Sequence, residues 1–353
     1  MKRVSLSDGP ACPAPQPPGN RIQLGHGSGG RLSADLLRRR FLPAFDNEIL
    51  DRMEDGALLP LRGEEIVVST DSFVVSPLEF PGGNIGDLAV NGTVNDLAMM
   101  GATPRFLTAG FILEEGLPFE VLDRVLEAMA RAVREAGVVL VAGDTKVVEG
   151  GKADGMFINT TGLGTLAPGI RPTPARIEPG DAVLVSGPLG CHGITILAAR
   201  EELDLEVELE SDTAPLHDLV RTLREAVGNG VRALRDPTRG GLASTLNEMA
   251  AASRTGILLW DGTLPIPAPV EGACELLGLD PLYVANEGVL VAVVAPEAAE
   301  AALDALRSHP LGRHAAVVGV TTREHPGLVT LKTALGGSRI VDLLPGDQLP
   351  RIC

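Results

Sequence analysis

The sequence predicts an α/β (α+β) protein of two domains, each a mixed sheet with helices packed on it, followed by a flexible C-terminal tail. The chain of 353 residues is too long for one typical hydrophobic core. Short β-branched runs alternate with stretches of helical spacing on both sides of a proline-rich joint at 167–180. The tail, residues 342–353, has two prolines and no apolar period, which is typical of an extended, mobile segment.

The predicted helices and strands follow from the helical and the strand-like spacing of apolar residues along the chain. The first domain is expected over 21–166, with helices at 32–42, 85–100 and 119–136 and strands at 66–70, 105–113, 138–142 and 157–166. The second is expected over 175–335, with strands at 181–186, 256–260, 289–294, 315–320 and 328–331 and helices at 194–200, 215–227, 241–252 and 296–309. Residues 1–20 are proline-rich and lack an apolar signal core, so a disordered extension is expected there.

Charge and composition exclude several classes of partner. A net charge of -16 disfavours nucleic acid and anionic membrane surfaces. An aromatic content of 3% leaves few rings for stacking on bases. No apolar run in the sequence reaches the roughly 18–20 residues that a membrane span requires. The four cysteines form no CxxC pair, which disfavours a zinc knuckle or a disulfide framework. We therefore expect a cytoplasmic protein.

Two polar patterns in the first domain are candidate ligand contacts. The run Gly25–Gly30, which includes Gly29, precedes the first helix, and consecutive glycines let backbone N–H groups approach an anion closely. The run lacks the GK[ST] ending of a P-loop, so a plain flexible loop is an equal alternative. On helix 85–100, Asn91 and Asn95 are one turn apart and form a polar stripe, which faces either solvent or a ligand.

Three carboxylates and one lysine predict a magnesium and phosphate site. Asp71 and Asp144 each follow a β-branched strand, and Asp96 lies on the helix between those strands. In the segment 143–146 (GDTK), residues two apart point to the same side if the chain is extended. Asp144 is then suited to Mg²⁺ and Lys146, one of only four lysines, to a phosphate. Three converging aspartates favour a nucleoside triphosphate as the ligand.

The second domain offers two further polar segments. The turn 236–241 (DPTRGG) leads into a helix N-terminus, which is a ready site for an anion. Glu287 precedes the predicted strand 289–294 and is placed to deliver a carboxylate to a cleft. Both segments also have the composition of ordinary turns, so a purely structural role is an open alternative for each.

One cysteine ends the chain. A thiol on Cys353 is accessible to a partner or to a site on the same chain, although a terminal cysteine is also consistent with no role. Cys191 opens a predicted helix whose N-terminus is expected to lower the pKa of its thiol, which makes it the rival nucleophile. Cys274 lies in an apolar stretch and is expected in the core.

A series of segments from about residue 22 to the end forms a specific set: Leu24–Gly30 (LGHGSGG), Ser69–Ser72 (STDS), Phe80–Gly86 (FPGGNIG), Gly110–Pro118 (GFILEEGLP), Gly143–Val148 (GDTKVV), Leu234–Gly241 (LRDPTRGG), Cys274–Asp280 (CELLGLD), Ala285–Gly288 (ANEG) and Pro350–Cys353 (PRIC). In this set the chain resembles the HypE family of hydrogenase maturation factors, of the superfamily that includes aminoimidazole ribonucleotide synthetase and selenophosphate synthetase. The selenophosphate branch usually carries a reactive Cys or selenocysteine near its glycine-rich stretch, and Cys12 lies outside that stretch.

The resemblance implies an ATP-dependent carbamoyl dehydratase. The carbamoyltransferase HypF would place a carbamoyl group on Cys353, ATP would drive its dehydration to a thiocyanate, and the cyano group would pass to iron on a HypC–HypD complex. The resemblance also implies a homodimer whose first domains join their sheets, with ATP near the junction. The residue roles that it implies are Asp71, Asp96 and Asp144 as Mg²⁺ and ATP ligands, Lys146, Asn91 and Gly29 as further ATP contacts, and Cys353 and Glu287 as thiol carrier and candidate base.

Two other functions remain open from the residues. The runner-up is a small-molecule ATP-dependent synthetase or kinase of the same superfamily, in which Cys353 is idle. A scaffold that only docks maturation partners is the third reading, and it leaves the Asp and Lys residues of the first domain unexplained.

Overall fold

The computed structural model describes residues 30–36, 38–39, 52–54, 57–61, 64–166, 169, 171–200 and 209–343. The predicted extension 1–20, Gly29, Cys353 and most of the predicted tail lie outside these residues. No helix in the described ranges is long and apolar enough to cross a membrane.

The first domain is built on a five-stranded sheet. The bounds of its strands and of a separate short hairpin are β1 (Ala57–Leu61), β2 (Glu64–Phe73), β3 (Glu79–Phe80), β4 (Gly83–Asn84), β5 (Thr103–Glu114), β6 (Val139–Val148) and β7 (Met156–Leu166). The sheet has the order β1-β2-β7-β5-β6, and β3 pairs with β4 alone. Only β5 and β6 are parallel, and the other neighbours are antiparallel. β6 is therefore an edge strand, and in the described chain its outer side has no partner strand.

Helices cover one face of this sheet. Besides the short α1 (Arg31–Leu36), the domain contains α2 (Ile85–Met99) and α3 (Phe119–Glu135). A capping box starts α2, because the Asn84 side chain accepts the Gly86 N–H while the Asp87 carboxylate accepts the Asn84 N–H. Nearly every residue of α2 is buried, since the helix lies between the sheet and the second domain.

The second domain contains a seven-stranded mixed sheet. Its strands are β8 (Ala182–Val185), β9 (Val231–Arg235), β10 (Gly256–Trp260), β11 (Val291–Val294), β12 (Ala316–Thr322), β13 (Val329–Lys332) and β14 (Ser338–Val341), in the order β14-β13-β10-β12-β8-β11-β9. Its helices are α4 (Cys191–Arg200), α5 (His217–Val227), α6 (Gly241–Ser253), α7 (Ala268–Leu277) and α8 (Ala299–Ser308). α6 packs on one face, and α5 and α8 pack on the other. The end of α2, at Ala98 and Met99, joins that second cluster, so the two domains share apolar core.

The predicted architecture of two mixed sheets with packed helices is confirmed, but several elements differ from the expectation. β6 continues past Ala142 to Val148, because pairing with β5 carries the strand through Gly143. The strands β9 and β14 and the helix α7 are not among the elements that the sequence predicts. β14 is short and largely exposed, so it has no alternating pattern, and the Pro and Gly inside α7 conceal its helical period. The second sheet also extends beyond residue 335, the predicted end of its domain.

Candidate active site

The polar stripe of α2 lies at the joint between the two domains. The Asn95 side chain donates to the carbonyls of Ala214 (3.1 Å) and Glu287 (3.3 Å) and accepts the Leu216 N–H (2.7 Å). Each such bond contributes about 0.5–1.5 kcal/mol net. The stripe therefore faces the segment 211–216 of the second domain, and the alternative of a solvated face is wrong for Asn95.

Asn91 lies one turn earlier on the same stripe. Its amide nitrogen donates to the Thr213 hydroxyl at 3.3 Å. Its amide oxygen is buried and has no hydrogen-bond partner among the described residues. The amide nitrogen of Asn91 thus binds the second domain, and the contact of Asn91 with ATP stays a prediction.

Glu287 is buried at the same joint. Glu287 is 7% exposed. One of its carboxylate oxygens lies close to α2, since a Cβ atom placed on Gly92 would be 3.9 Å from that oxygen. Burial raises the pKa of Glu287 well above its usual value, the negative charges of Asp236, Asp212 and Asp71 raise it further, and Arg239 opposes them. A carboxylate with a raised pKa is a stronger proton acceptor once ionised.

Asp71 and Arg239 meet beside Glu287. Asp71 is near the end of β2, and Arg239 belongs to the turn before α6; their charged groups are 3.6 Å apart. Burial raises the pKa of Asp71, and both Arg239 and the Ser72 N–H, which donates to its carboxylate, act to lower it. The structure thus brings Asp71, Glu287 and the turn 236–241 to one place. The sequence had indicated the turn, but it had not singled out Arg239.

Asp96 lies on the same face of the first sheet as Asp71. Its carboxylate accepts a short hydrogen bond from the Ser69 hydroxyl. Ser69 and Asp71 are two residues apart on β2, so their side chains point to the same face of the sheet. This is the face that α2 covers, because Thr160, the register partner of Asp71, donates to the Ala89 carbonyl of α2.

Asp144 and Lys146 occupy the opposite face. In the register of the sheet Asp144 aligns with Gly110, Asn159 and Ser72, one residue out of phase with Asp71. The Lys146 ammonium lies 3.0 Å from the Asp144 carboxylate, and its hydrogen bond to that carboxylate lowers the pKa of Asp144. β2 and β6 are three strand spacings apart, or about 14 Å.

The three aspartates do not converge within one chain. Asp71 and Asp96 share a face, Asp144 lies on the other, and the described ranges contain no group of three His, Cys, Asp or Glu residues arranged to hold a metal ion. The expectation of a three-carboxylate cluster in one chain is therefore wrong. The donor chemistry still fits Mg²⁺, which takes one or two carboxylates and completes its shell with water and phosphate oxygens.

The two described cysteines are both buried. Cys191 begins α4, as expected, but burial raises the pKa of its thiol to about 12 and the charge of Asp212 adds to the effect. The expectation that the helix N-terminus lowers this pKa is wrong, because desolvation dominates. Cys274 is 1% exposed, so its predicted core position is confirmed, and burial raises its thiol pKa to about 11.

An apolar strip follows the free edge of the first sheet. Val139, Val141 and Val147 on β6 are 55%, 55% and 67% exposed, and Phe106 on β5 is 47% exposed. Exposed side chains of this kind on an unpaired edge strand mark an interaction surface.

The chain matches both domains of one protein family. Residues 53–166 match the N-terminal domain of the AIR synthase related proteins, and residues 178–332 match their C-terminal domain. It is 54% identical over 334 residues to the carbamoyl dehydratase HypE of Cupriavidus necator, covering 94% of this chain and 95% of that protein.

Solved structures give the same result. The fold is similar to that of a HypE in a HypE–HypF complex, with a TM-score of 0.83 and 48% identity over 88% of this chain and 99% of that one. A HypE crystallised in complex with ATP matches with a TM-score of 0.79 and 49% identity over 94% of this chain and all of that one. The chain therefore belongs to the HypE family of carbamoyl dehydratases, the hydrogenase maturation enzymes of the AIR synthase related fold.

Proposed function

We propose that the enzyme dehydrates a carbamoyl group on the thiol of its own Cys353, using ATP, and so supplies the cyanide ligand of NiFe-hydrogenase iron. The amide oxygen of the thiocarboxamide is a poor leaving group. Transfer of the γ-phosphoryl group of ATP to this oxygen, with loss of one N–H proton, converts it into a phosphate ester. Departure of phosphate with loss of the second N–H proton leaves the thiocyanate.

Glu287 is the proposed base for the first of these proton losses, and the departing phosphate takes the second proton. The burial of Glu287 beside Arg239 and Asp71 is the observation that carries the proposal. Burial raises the pKa of Glu287 and Arg239 opposes that rise, so its carboxylate, once ionised, is more basic than an ordinary one. The high thiol pKa values of Cys191 and Cys274 also favour Cys353 as the carrier.

The nucleotide site is proposed to form between two copies of the chain. Asp71 and Asp96 would hold Mg²⁺ from one copy, where the ion would offset charge on the transferred phosphoryl group. Asp144 and Lys146, on the opposite face of the same chain, would reach the nucleotide of the other copy. Two observations support this arrangement: the separation of the two sets within one chain, and the exposed apolar edge at β6. Asn91 and Gly29 stay proposed ATP contacts.

We propose a separate role for each of three parts of the chain. Residues 21–166 form the ATP-binding and dimerisation domain, 175–341 the second α/β domain, which includes β14, and 342–353 the tail that carries the thiol between sites. HypF is the proposed carbamoyl donor, supported by the HypE–HypF complex of a similar protein. HypC–HypD is proposed as the acceptor from the family resemblance. A reducing cytoplasm, where thiols stay free, suits a reactive terminal cysteine.

Intact-mass measurement tests the proposal. After incubation with HypF and its substrates the chain should gain about 43 Da, and ATP should then remove about 18 Da as one water. The Glu287→Gln variant should gain the carbamoyl group and keep it. Dehydration at the wild-type rate in that variant would refute the assignment of the base, and ATP turnover on a free small substrate without Cys353 would favour a synthetase or kinase instead.

A further inference from the structure

The Asp212 carboxylate binds three backbone amides from two separate segments. One oxygen accepts the His192 N–H at 3.0 Å. The other accepts the Glu287 N–H at 3.2 Å and the Gly288 N–H at 3.0 Å. Every one of these partners is a donor, so both oxygens of the side chain must be acceptors. Asp212 could not be singled out from the sequence, because it lies in a polar stretch with no motif around it.

The peptide groups on both sides of Glu287 are fixed in place. A Cβ on Gly288 would lie 1.7 Å from the Asp212 carbonyl oxygen, so the chain at 287–288 packs directly on the backbone of Asp212. On the preceding side, the Asn286 side chain accepts the Gly190 N–H at 2.6 Å and donates to the Pro237 carbonyl at 2.9 Å. The Glu287 carbonyl itself accepts from Asn95 of the first domain.

We infer that Asp212 is a positioning residue, which holds the backbone of Glu287 so that its carboxylate meets the carbamoyl group at the domain joint. This inference rests on the proposed role of Glu287 as the base. Asp212 is half-buried at the joint and acts through Glu287 rather than on the substrate. Its negative charge also favours the protonated form of Glu287.

The Asp212→Asn variant tests the inference. An amide places a donor either against the His192 N–H or against the N–H groups of Glu287 and Gly288, so it can no longer hold the two segments together and the 287–288 segment shifts. Since small displacements of a reacting group cost up to about a hundredfold in rate, dehydration at saturating ATP should slow about tenfold to a hundredfold. The ATP concentration that gives half-maximal rate should not change, because Asp212 has no proposed contact with the nucleotide.

Asp181→Asn is the matched control. Asp181 is 1% exposed and accepts a backbone N–H from Glu178 at 2.7 Å, and its charged partner is Arg232 rather than any residue around Glu287. This variant should lose stability but keep its dehydration rate. A wild-type rate in folded Asp212→Asn, or an equal loss in Asp181→Asn, would overturn the positioning role.

Glu287→Gln separates the two proposals. If Glu287→Gln dehydrates normally, the proposed base is wrong and the inference falls with it. If Glu287→Gln is inactive while Asp212→Asn is fully active, only the inference fails.

A second measurement applies if Asp212→Asn does not fold. Burial raises the pKa of Asp212 to about 6, so lowering the pH from about 8 to about 5 protonates it and turns one acceptor into a donor. In the Glu287→Gln variant, amide exchange at residues 287 and 288, corrected for intrinsic rates, should accelerate over this range. Cys191 and His192, which also lie beside Asp212, stay neutral over this range, because burial raises the pKa of the Cys191 thiol to about 12 and lowers that of the His192 imidazole to about 3. Unchanged protection of both amides would refute the inference.

Discussion

A mixture of two inactive variants can show whether each reaction site draws residues from two copies of the chain. In the proposal, one site combines Lys146 of one copy with Glu287 of the other. Lys146→Ala and Glu287→Gln should therefore each abolish ATP-dependent dehydration as pure homodimers. In a mixed dimer, one site receives both altered residues and the other site receives both native ones.

The size of the recovery follows from the symmetry. Random pairing of two chains expressed in equal amounts makes about half of all dimers mixed, and half of the sites in these are intact. The initial rate should therefore recover to about one quarter of the wild-type value. If both residues served a site within one chain, every site would contain one altered residue and no recovery would occur.

The assay is the initial rate at which carbamoylated tails lose about 18 Da on addition of ATP. Lys152→Ala, at an exposed lysine between β6 and β7, is the matched control. Mixed with Glu287→Gln, it should give about half of the wild-type rate, because only the sites with Gln at 287 are inactive. A mixture of Lys146→Ala and Glu287→Gln that stays at the level of its parents would refute the two-copy site.

Three further outcomes are expected. Cys353→Ala should bind ATP in calorimetry but show no carbamoyl label on any tryptic peptide; label on the Cys191 peptide would contradict the assignment. A chain that begins at Asn20 should dehydrate at the full rate, and a large loss in the mass assay would show that residues 1–19 contribute. Because the folded-state pKa of Glu287 is raised above its ordinary value of 4.5, the stability that its neutral carboxyl group contributes is lost as the pH rises from that value through the raised pKa. In urea unfolding, Glu287→Gln should therefore gain stability relative to wild type as the pH rises above about 4.5, and a constant difference would contradict this.

The fold was largely predictable because its core elements carry strong periods. α2 and α3 lie within a residue or two of their predicted bounds, and most of the second sheet follows its buried β-branched runs. The missed β14 shows the limit of this reasoning. Its place is fixed by pairing with β13, a contact between segments that no local pattern records.

The sequence could propose the residues of the candidate site but not their geometry. The sequence identified Asp144 and Lys146 from their spacing, yet the side of the sheet on which they lie depends on the register of β6 against β5. It identified Glu287 from the segment before a strand, but the burial of Glu287 comes from α2 in the other domain. The prediction for Cys191 failed for a related reason, since desolvation of its thiol is set by tertiary packing.

Asp342, the first residue of the tail and here called its root, is held near the proposed base. The effect of tail length on dehydration can therefore be tested. The Tyr283 hydroxyl donates to the Asp342 carbonyl at 2.8 Å, and Tyr283 precedes Glu287 by four residues, at most about 14 Å of chain. The eleven residues after Asp342 span up to about 36–40 Å. Deleting residues 344–347 leaves about 23–25 Å, still enough for the thiol to reach Glu287.

The shortened chain should therefore dehydrate a carbamoyl group that is already in place at close to the wild-type rate. It should accept that group from HypF more slowly, because a shorter tail reaches less far into a partner. Chemical carbamoylation of the terminal thiol with cyanate separates the two steps in the mass assay. If the deletion instead slows dehydration of the chemically carbamoylated chain as much as it slows transfer from HypF, the tail does not start beside the base and Tyr283 does not define its root.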